Sequence, residues 1–190
     1  MGTRFDFPKL GRAVAAAVVA CVALAPAAAS AQSELEYAVK AAYLLRFGLY
    51  VEWPPVAFGS ATSPFLICVV GEDPFGDVLD TAVKDQRIGE RPIVVRRLKT
   101  ISRDSGCHVA YFGGADATRQ AQSIEALRGS HVLTFSDAPL GAGGAAAIVR
   151  FVVRDNRVRF EIDDAAAAQN GLIISSKLLS LALRVKPRSS

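Results

Sequence analysis

The sequence is poor in the residues on which most catalytic and metal sites depend. Its 190 residues include two histidines, one tryptophan and three cysteines. The histidines, His108 and His131, stand alone, and no H-x-x-x-H or C-x-x-C spacing typical of a metal site occurs. Ser102, His108 and Asp104 could form a catalytic triad on paper, but no G-x-S-x-G turn marks a nucleophile. We therefore predict a protein that is not an enzyme and carries no metal or cofactor.

Long hydrophobic runs are absent after the amino-terminal region. Residues 1–31 have the layout of a secretory signal: a basic start, an apolar run at 13–25, and an A-x-A site at Ala29–Ala31. We predict cleavage after Ala31, which leaves residues 32–190, a length that suits one domain. One alternative stays open, because "VVAC" loosely matches a lipoprotein box that would leave Cys21 as a lipidated first residue.

Excess charge of one sign is also missing. The whole chain carries a net charge of +4. The leader contributes +2 of this through Arg4, Lys9, Arg12 and Asp6, so the exported chain keeps only +2. This balance, together with export, predicts no nucleic-acid partner.

The stretch "AAYLLRFGLYVEWPP", residues 41–55, is the most apolar after the leader and holds the single tryptophan. Apolar positions recur at helical spacing from Leu35, Ser33 and Glu36 can form a capping box, and Pro54–Pro55 end the pattern. Its densest part is far shorter than the roughly 20 residues of a membrane span. We predict a core helix, with partner contact by its outer aromatic edge as the alternative.

Strands and helices alternate along the middle of the chain. We predict strands at 64–71, 91–98, 107–114 and 131–137, with helices at 73–85 and 116–129. Strands followed by helices indicate parallel pairing with helices on both faces. The predicted fold is an α/β three-layer sandwich with a mostly parallel, doubly wound sheet in flavodoxin-like order.

The last third predicts a different arrangement. Two alternating runs at 146–163 flank Asp155–Asn156, a two-residue turn typical of antiparallel hairpins. With that turn Arg154 faces Arg157, Phe151 faces Phe160, and Arg150 faces Glu161. One face is then apolar, while the other carries four arginines relieved only by Glu161. A short helix at 163–171 and a terminal helix at 175–185 complete the prediction.

Glycine-rich turns follow two of the predicted strands, where open α/β sheets bind ligands. The candidate ligand-binding residues are Gly71, Asp73, Gly76, Gly113, Gly114 and Asp116. Neither turn is a G-x-G-x-x-G motif or a P-loop. The alternative is that both turns are tight connections in which Asp73 or Asp116 caps a helix.

Two cysteines, Cys68 and Cys107, remain once the leader is removed. In an oxidising compartment a bridge between them would close a loop worth about 4 kcal/mol at best. Neighbouring strands would bring the sulfurs into one region, but a parallel register could hold the α-carbons beyond roughly 7 Å. A buried free thiol at Cys68 is the alternative.

An ordered set of fragments across residues 36–185 resembles the YfiR-like family of periplasmic repressors. These fragments are "FGLYVEWP" (47–54), "ICVVGEDPFGDVL" (67–79), "RPIVVRRL" (91–98), "CHVAYFG" (107–113), "VLTFSDAP" (132–139), "VRFEID" (158–163) and "GLIISSKLLSLALRV" (171–185). The resemblance implies a periplasmic binding protein that holds an inner-membrane diguanylate cyclase inactive through the cyclase's periplasmic sensor region. Release by an outer-membrane lipoprotein or by a redox change would raise cyclic di-GMP and favour biofilm.

The resemblance also implies specific residues. It implies a homodimer and a disulfide between Cys68 and Cys107, whereas a second pair that some relatives have near 142–149 has no counterpart here. Phe151 and Glu161 lie in the stretch that resembles the family's contact region. With Arg157 and Arg159 they form the predicted partner surface, unless the arginines only solvate an exposed sheet face. A small-ligand binder that uses the strand-end loops is the alternative function.

Overall fold

The computed structural model describes Gly2 and residues 25–138 and 145–188 of the chain. The chain divides into two compact units, residues 1–35 and 36–190, and the fold below is that of the second. Most of the predicted leader, including Cys21, lies outside the described residues. The cleavage site and the lipidation alternative therefore stay predictions.

Five α-helices and ten strands occur in the described residues. The helices are α1 (Ala25–Tyr50), α2 (Asp77–Val83), α3 (Ala117–Ala126), α4 (Asp164–Gln169) and α5 (Ser176–Leu179). The strands are β1 (Val51–Glu52), β2 (Phe65–Gly71), β3 (Arg87–Ile88), β4 (Arg91–Leu98), β5 (Val109–Gly113), β6 (Leu133–Ser136), β7 (Val149–Arg154), β8 (Arg157–Asp163), β9 (Ile173–Ile174) and β10 (Arg184–Lys186).

Eight of the strands form one sheet in the order β10-β8-β7-β6-β5-β2-β4-β3. Pairing is parallel from β4 across to β7 but antiparallel between β7 and β8 and between β3 and β4. The α/β class is confirmed, whereas the mostly parallel sheet is wrong, because the sheet is mixed. The hairpin belongs to the same sheet, and its return strand reverses the direction.

The core lies on both faces of the sheet because the central strands alternate their side chains. On one face Ile67, Tyr111 and Phe135 pack with α1, α2 and α4. On the other face a smaller cluster joins Ala110 and Phe112 to Ile124 of α3. Helices therefore cover both faces of the sheet, as the sequence predicts.

The helix α1 provides the deepest contacts of the larger cluster. Ala41, Leu44 and Phe47 are fully buried, and the Phe47 ring meets Phe135 edge-on at 5.0 Å. This confirms the core prediction for residues 41–47, whereas Leu49 and Tyr50 at the end of the helix are exposed. The helix begins at Ala25 in the full chain, so Ser33 lies inside it and does not cap it.

The hairpin β7–β8 has the register that the turn predicts. Arg154 pairs with Arg157, Phe151 with Phe160, and Arg150 with Glu161. Asp155 and Asn156 both adopt positive φ angles, 52° and 54°, as a tight hairpin turn of this kind requires. The polar side chains of these two residues tolerate that conformation well.

The predicted terminal helix at 175–185 is wrong over its second half. The helix α5 ends at Leu179, and Arg184–Lys186 form β10, which pairs in parallel with β8. The amide of Leu183 donates to the carbonyl of Phe160 at 2.9 Å, which starts this pairing. The backbone hydrogen bonds that the open edge of β8 offers to these residues outweigh the helical spacing of their apolar side chains.

Candidate functional site

The polar face of the C-terminal strands is the most basic surface that the sequence predicts. Strand pairing places Arg150, Glu161 and Arg184 in one row across β7, β8 and β10. Because side chains alternate along a strand, the same face carries six basic residues and two acidic ones. We call this set the hairpin face: Arg150, Arg154, Arg157, Arg159, Glu161, Asp163, Arg184 and Lys186.

Few of these charges are neutralised within the protein. Arg150 donates to Glu161 at 2.6 Å, and Lys186 donates to Asp163 at 2.8 Å. Among the described residues, Arg154, Arg157 and Arg159 form no salt bridge. The hairpin face therefore presents unpaired guanidinium groups and a net charge of +4. β10, which the sequence does not predict, adds Arg184 and Lys186 to it.

Phe151 does not lie where a contact residue would, whereas Glu161 keeps a small exposed edge. Phe151 is 2% exposed and packs against Tyr43 and Phe135, at 6.0 and 5.5 Å between ring centroids. Its expected role in direct contact is therefore revised, because the alternation that puts arginines outside turns Phe151 into the core. Glu161 is 16% exposed and already holds Arg150.

A second candidate region lies at the carboxyl ends of β2 and β5. A cavity of about 420 Å³, which we call the strand-end cavity, is lined by Glu72, Asp73, Tyr111, Gly113, Gly114 and Asp137, among others. An adjoining cavity of about 340 Å³ is lined by Gly71 and Asp116. Of the six predicted ligand-binding residues, the structure thus brings five to these two cavities. Gly76 lines neither of them.

The glycines of this region are explained by close backbone approach. A Cβ atom on Gly113 would lie 2.0 Å from the carbonyl oxygen of Glu72, and one on Gly71 would lie 2.8 Å from the carbonyl oxygen of Gly113. Gly71 also has a φ of +86°, which favours glycine. Because Gly71 and Gly113 have no side chain, the ends of β2 and β5 can lie side by side and form the cavity wall.

The two aspartates of the glycine-rich turns make local hydrogen bonds. Asp116 accepts from the amide of Arg119 at 2.9 Å and caps α3. Asp73 accepts from the amide of Phe75 at 2.8 Å within its turn and from Arg97 at 2.7 Å. The capping interpretation is thus confirmed for Asp116, whereas Asp73 stabilises the turn before α2.

A buried ionic cluster beside the strand-end cavity was missed by sequence reasoning. Lys40 of α1 is 2% exposed and donates to Glu36 and, at 2.6 Å, to Asp137. The hydroxyl of Tyr111 donates to the same Asp137 oxygen at 2.9 Å. No local motif joins these groups, because 97 residues separate Lys40 from Asp137.

The two proton donors of the ionic cluster, Lys40 and Tyr111, both have raised pKa values. Burial alone would lower the pKa of Lys40, but the hydrogen bonds to Asp137 and Glu36 outweigh it and raise that pKa. Burial raises the pKa of Tyr111, and the neighbouring Asp137 carboxylate raises it further. Lys40 therefore stays charged and Tyr111 stays a neutral donor, so the cluster fastens α1 to the sheet.

His108 is a structural residue and lies next to the disulfide. Its ring stacks between Phe58 and Phe65, at 4.6 and 4.9 Å between centroids, and its Nδ1 accepts from the amide of Leu66. Burial lowers the pKa of His108 to about 4, and the nearby charge of Arg91 lowers it too. A neutral, packed imidazole of this kind is not positioned as a catalytic base.

Cys68 and Cys107 form a disulfide with 5.9 Å between their α-carbons. The concern about register does not apply, because Cys107 lies before β5 and outside the regular ladder with β2. Both residues are buried, at 0% and 6% exposure. The bridge therefore ties β2 to the entry of β5 in the interior.

Two kinds of feature do not occur in the part of the chain that the structure describes. Within residues 25–138 and 145–188, no group of three or more His, Cys, Asp or Glu side chains could hold a metal ion. Over the same ranges, none of the helices combines the length and the hydropathy that a membrane span needs.

The comparison with protein families identifies the class of protein. Residues 37–183 match the model of the DUF4154 family, described as YfiR/HmsC-like. Because the match covers well over half of the chain, the protein belongs to the YfiR/HmsC-like family. Membership indicates a regulator of diguanylate cyclase signalling rather than an enzyme. No curated protein sequence matches the chain significantly.

Proposed function

We propose that this protein is a periplasmic repressor that binds the periplasmic sensor region of an inner-membrane diguanylate cyclase through the hairpin face. Family membership supports the regulatory role. The observation that carries the choice of surface is the set of guanidinium groups on Arg154, Arg157 and Arg159, which form no ion pair with the described residues. Such groups are available to carboxylates of a partner and would steer its approach.

Repression follows from differential binding. A protein that binds only the inactive form of the cyclase shifts the cyclase's equilibrium by the difference in its affinity for the two forms. Cytoplasmic cyclic di-GMP would then fall, and biofilm formation with it. On this account the repressor needs no reactive group, because all of its effect is binding free energy.

The hairpin face lies over a layer of packed aromatic side chains. Beneath it, Phe151 and Phe160 pack on Tyr43 and Phe47 of α1, with centroids 5.1 to 6.0 Å apart. The pair of Arg150 and Glu161 fixes one row of the face. Phe151 therefore supports the surface from below, while Arg157, Arg159 and the rim of Glu161 are the groups that we propose meet the partner.

The disulfide supports a limited redox response. Reduction would remove a constraint worth up to about 4 kcal/mol and loosen the sheet. Because both cysteines are buried, a thiolate can attack the bridge only when the structure opens locally. We propose that reduction weakens repression slowly, by destabilising the protein and not by altering the hairpin face directly.

Further parts of the proposal rest on the sequence. Export to the periplasm with cleavage after Ala31 rests on the secretory signal pattern of residues 1–31. A homodimer, and release of the cyclase when an outer-membrane lipoprotein sequesters the repressor, rest on the family resemblance alone. Each can be tested separately: by amino-terminal sequencing of the periplasmic form, by sedimentation, and by co-purification from outer membranes.

The surface is tested by charge reversal. Arg157→Glu combined with Arg159→Glu should abolish binding to the purified periplasmic domain of the cyclase. The matched control is Arg119→Glu on α3 with Arg128→Glu in the turn that follows it, which changes the net charge equally at another exposed place. If both double variants bind as the unmodified protein does, the arginines only solvate the sheet. If both lose binding equally, overall charge is responsible and the hairpin face is not the site.

A second candidate function is the binding of a small ligand at the strand ends. One observation favours it: a cavity of about 420 Å³ lies where open α/β sheets bind ligands. This function is compatible with repression, because the cavity and the hairpin face lie on different strands. A ligand there could act as a signal to the repressor.

A further inference from the structure

The strand-end cavity lies at the point where the order of the strands reverses. From β2 the chain passes to β4 on one side and then to β5 on the other side. The crevice between the carboxyl ends of β2 and β5 is thus the place where loops diverge and leave room for a ligand. The size of the cavity, about 420 Å³, falls within the range of small-molecule sites.

The charged side chains that line the cavity are all acidic among the described residues. Three carboxylates line the cavity, those of Glu72, Asp73 and Asp137, and no basic side chain is among the described residues that line it. The other polar side chains that line it are neutral: Gln120, Tyr37 and Tyr111. Gln120 is held in place by Gly114, whose carbonyl accepts its amide at 2.6 Å, and by Ser136, which donates to it at 2.8 Å.

Neighbouring ion pairs do not cancel this charge. Lys40 is shared between Asp137 and Glu36, and Arg97 is shared between Asp73 and Asp80. Glu72 forms no salt bridge with the described residues. These five carboxylates against two cations give a net charge of −3, and the side chains of Lys99, Arg119 and Asp116 that line the adjoining cavity change the total to −2. Residues 139–144, "PLGAGG", which follow the lining residue Ala138, carry no charge that could alter this balance.

An anion would meet these carboxylates in a cavity with apolar walls. No basic side chain is among the described residues that line the strand-end cavity, and the amino end of α3 beside it is already capped by the Asp116 carboxylate. Lys99 and Arg119 line the adjoining cavity instead. The apolar part of the lining includes the half-buried ring of Tyr37 and the side chains of Pro74 and Ala117. A cation carried on an apolar body would match both the negative charge of the lining and the apolar walls of the cavity.

We propose that the strand-end cavity binds a small organic cation, an ammonium group carried on an apolar or aromatic body. The carboxylate of Glu72 contacts the ammonium, and the ring of Tyr37 contacts the body. This inference rests on the second candidate function and names its ligand class; it does not depend on repression of a cyclase.

Three probes of one shape separate the possibilities. Benzylammonium, benzyl alcohol and benzoate share a ring and differ in charge, so each is titrated at millimolar concentration into the purified protein. Binding is followed through the backbone amide resonances of Gly113 and Gly114, which line the cavity. We expect benzylammonium to shift these resonances at low salt, and the other two probes to leave them unchanged.

A pair of matched variants locates the ammonium. Glu72→Gln should weaken benzylammonium binding about two- to fivefold, as removal of an exposed ion pair does. Glu90→Gln, which alters an exposed glutamate outside the cavity, should not change it.

Each other outcome overturns the proposal. If benzyl alcohol or benzoate binds as tightly as benzylammonium, the cavity is a ligand site but not one for cations. If none of the probes shifts Gly113 or Gly114, both the cation and the second candidate function are refuted. Equal loss in the Glu72 and Glu90 variants would mean that benzylammonium responds only to the overall charge.

Discussion

The hairpin face and the strand-end cavity are opposite in charge and in the way that their charges are held. On the hairpin face three arginines have no ionic partner among the described residues. Beside the cavity, Lys40 is buried and bound by two carboxylates. Charges of the first kind are available to a partner and contribute little to stability, whereas removing one charge of the second kind is costly, because it leaves its buried partner uncompensated. We therefore expect substitutions on the hairpin face to affect partner binding, and substitutions in the ionic cluster to affect the free energy of unfolding.

The two regions also differ in how far the sequence predicts them. The hairpin face follows from strict alternation around Asp155–Asn156, so its register could be predicted strand by strand. The ionic cluster could not, because Lys40, Tyr111 and Asp137 come from three distant segments that only the tertiary fold brings together. Periodicity describes one element at a time and gives no information on which elements meet.

Removal of the disulfide, which belongs to neither region, should have the largest effect on the free energy of unfolding. Cys68→Ala with Cys107→Ala should lower the free energy of unfolding by up to about 4 kcal/mol, because the unfolded chain regains the freedom of the closed loop. Urea denaturation measures this. Dithiothreitol should destabilise the unmodified protein and leave the double variant unchanged. An equal response of both proteins would show that the bridge does not stabilise the fold.

Loss of the buried lysine should come next. Lys40→Met leaves Asp137 and Glu36 without their cation, which should cost about 3 kcal/mol in urea denaturation. Lys84→Met, on an exposed lysine after α2, is the control and should change stability by less than about 0.5 kcal/mol. If the two variants are equally stable, the ionic cluster does not fasten α1 to the sheet.

Acid should destabilise the protein through His108. Its folded pKa of about 4 lies below the ordinary value of 6.5, so the unfolded state binds the proton more readily. Stability is then full above pH 6.5 and decreases as the pH falls toward 4, by at most about 2 kcal/mol down to pH 5. His108→Asn should flatten this part of the urea midpoint profile. An unchanged profile in the His108 variant would exclude this cause.

Arginine removal on the hairpin face should have the smallest effect on stability. Arg157→Gln should change the free energy of unfolding by less than about 0.5 kcal/mol, because no internal ion pair is lost. The same variant should still weaken binding to the cyclase's periplasmic domain. A stability loss comparable with that of Lys40→Met would remove the distinction between the two regions.

The end of the chain shows a further limit of prediction from sequence. The spacing of Leu178, Leu181 and Val185 predicts a helix, yet Arg184–Lys186 complete the sheet beside β8. Backbone hydrogen bonds to an open edge strand decide the conformation there, and no local pattern records that the edge is open. The addition of β10 extends the hairpin face by two cations.

Hydrogen exchange of the protein alone and bound to the cyclase's periplasmic domain compares the two regions most directly. Our account predicts slower exchange in peptides that cover Arg150–Glu161, with no change in peptides that cover residues 71–76 and 113–117. Slower exchange at the strand ends with an unaffected hairpin would contradict the proposed partner surface.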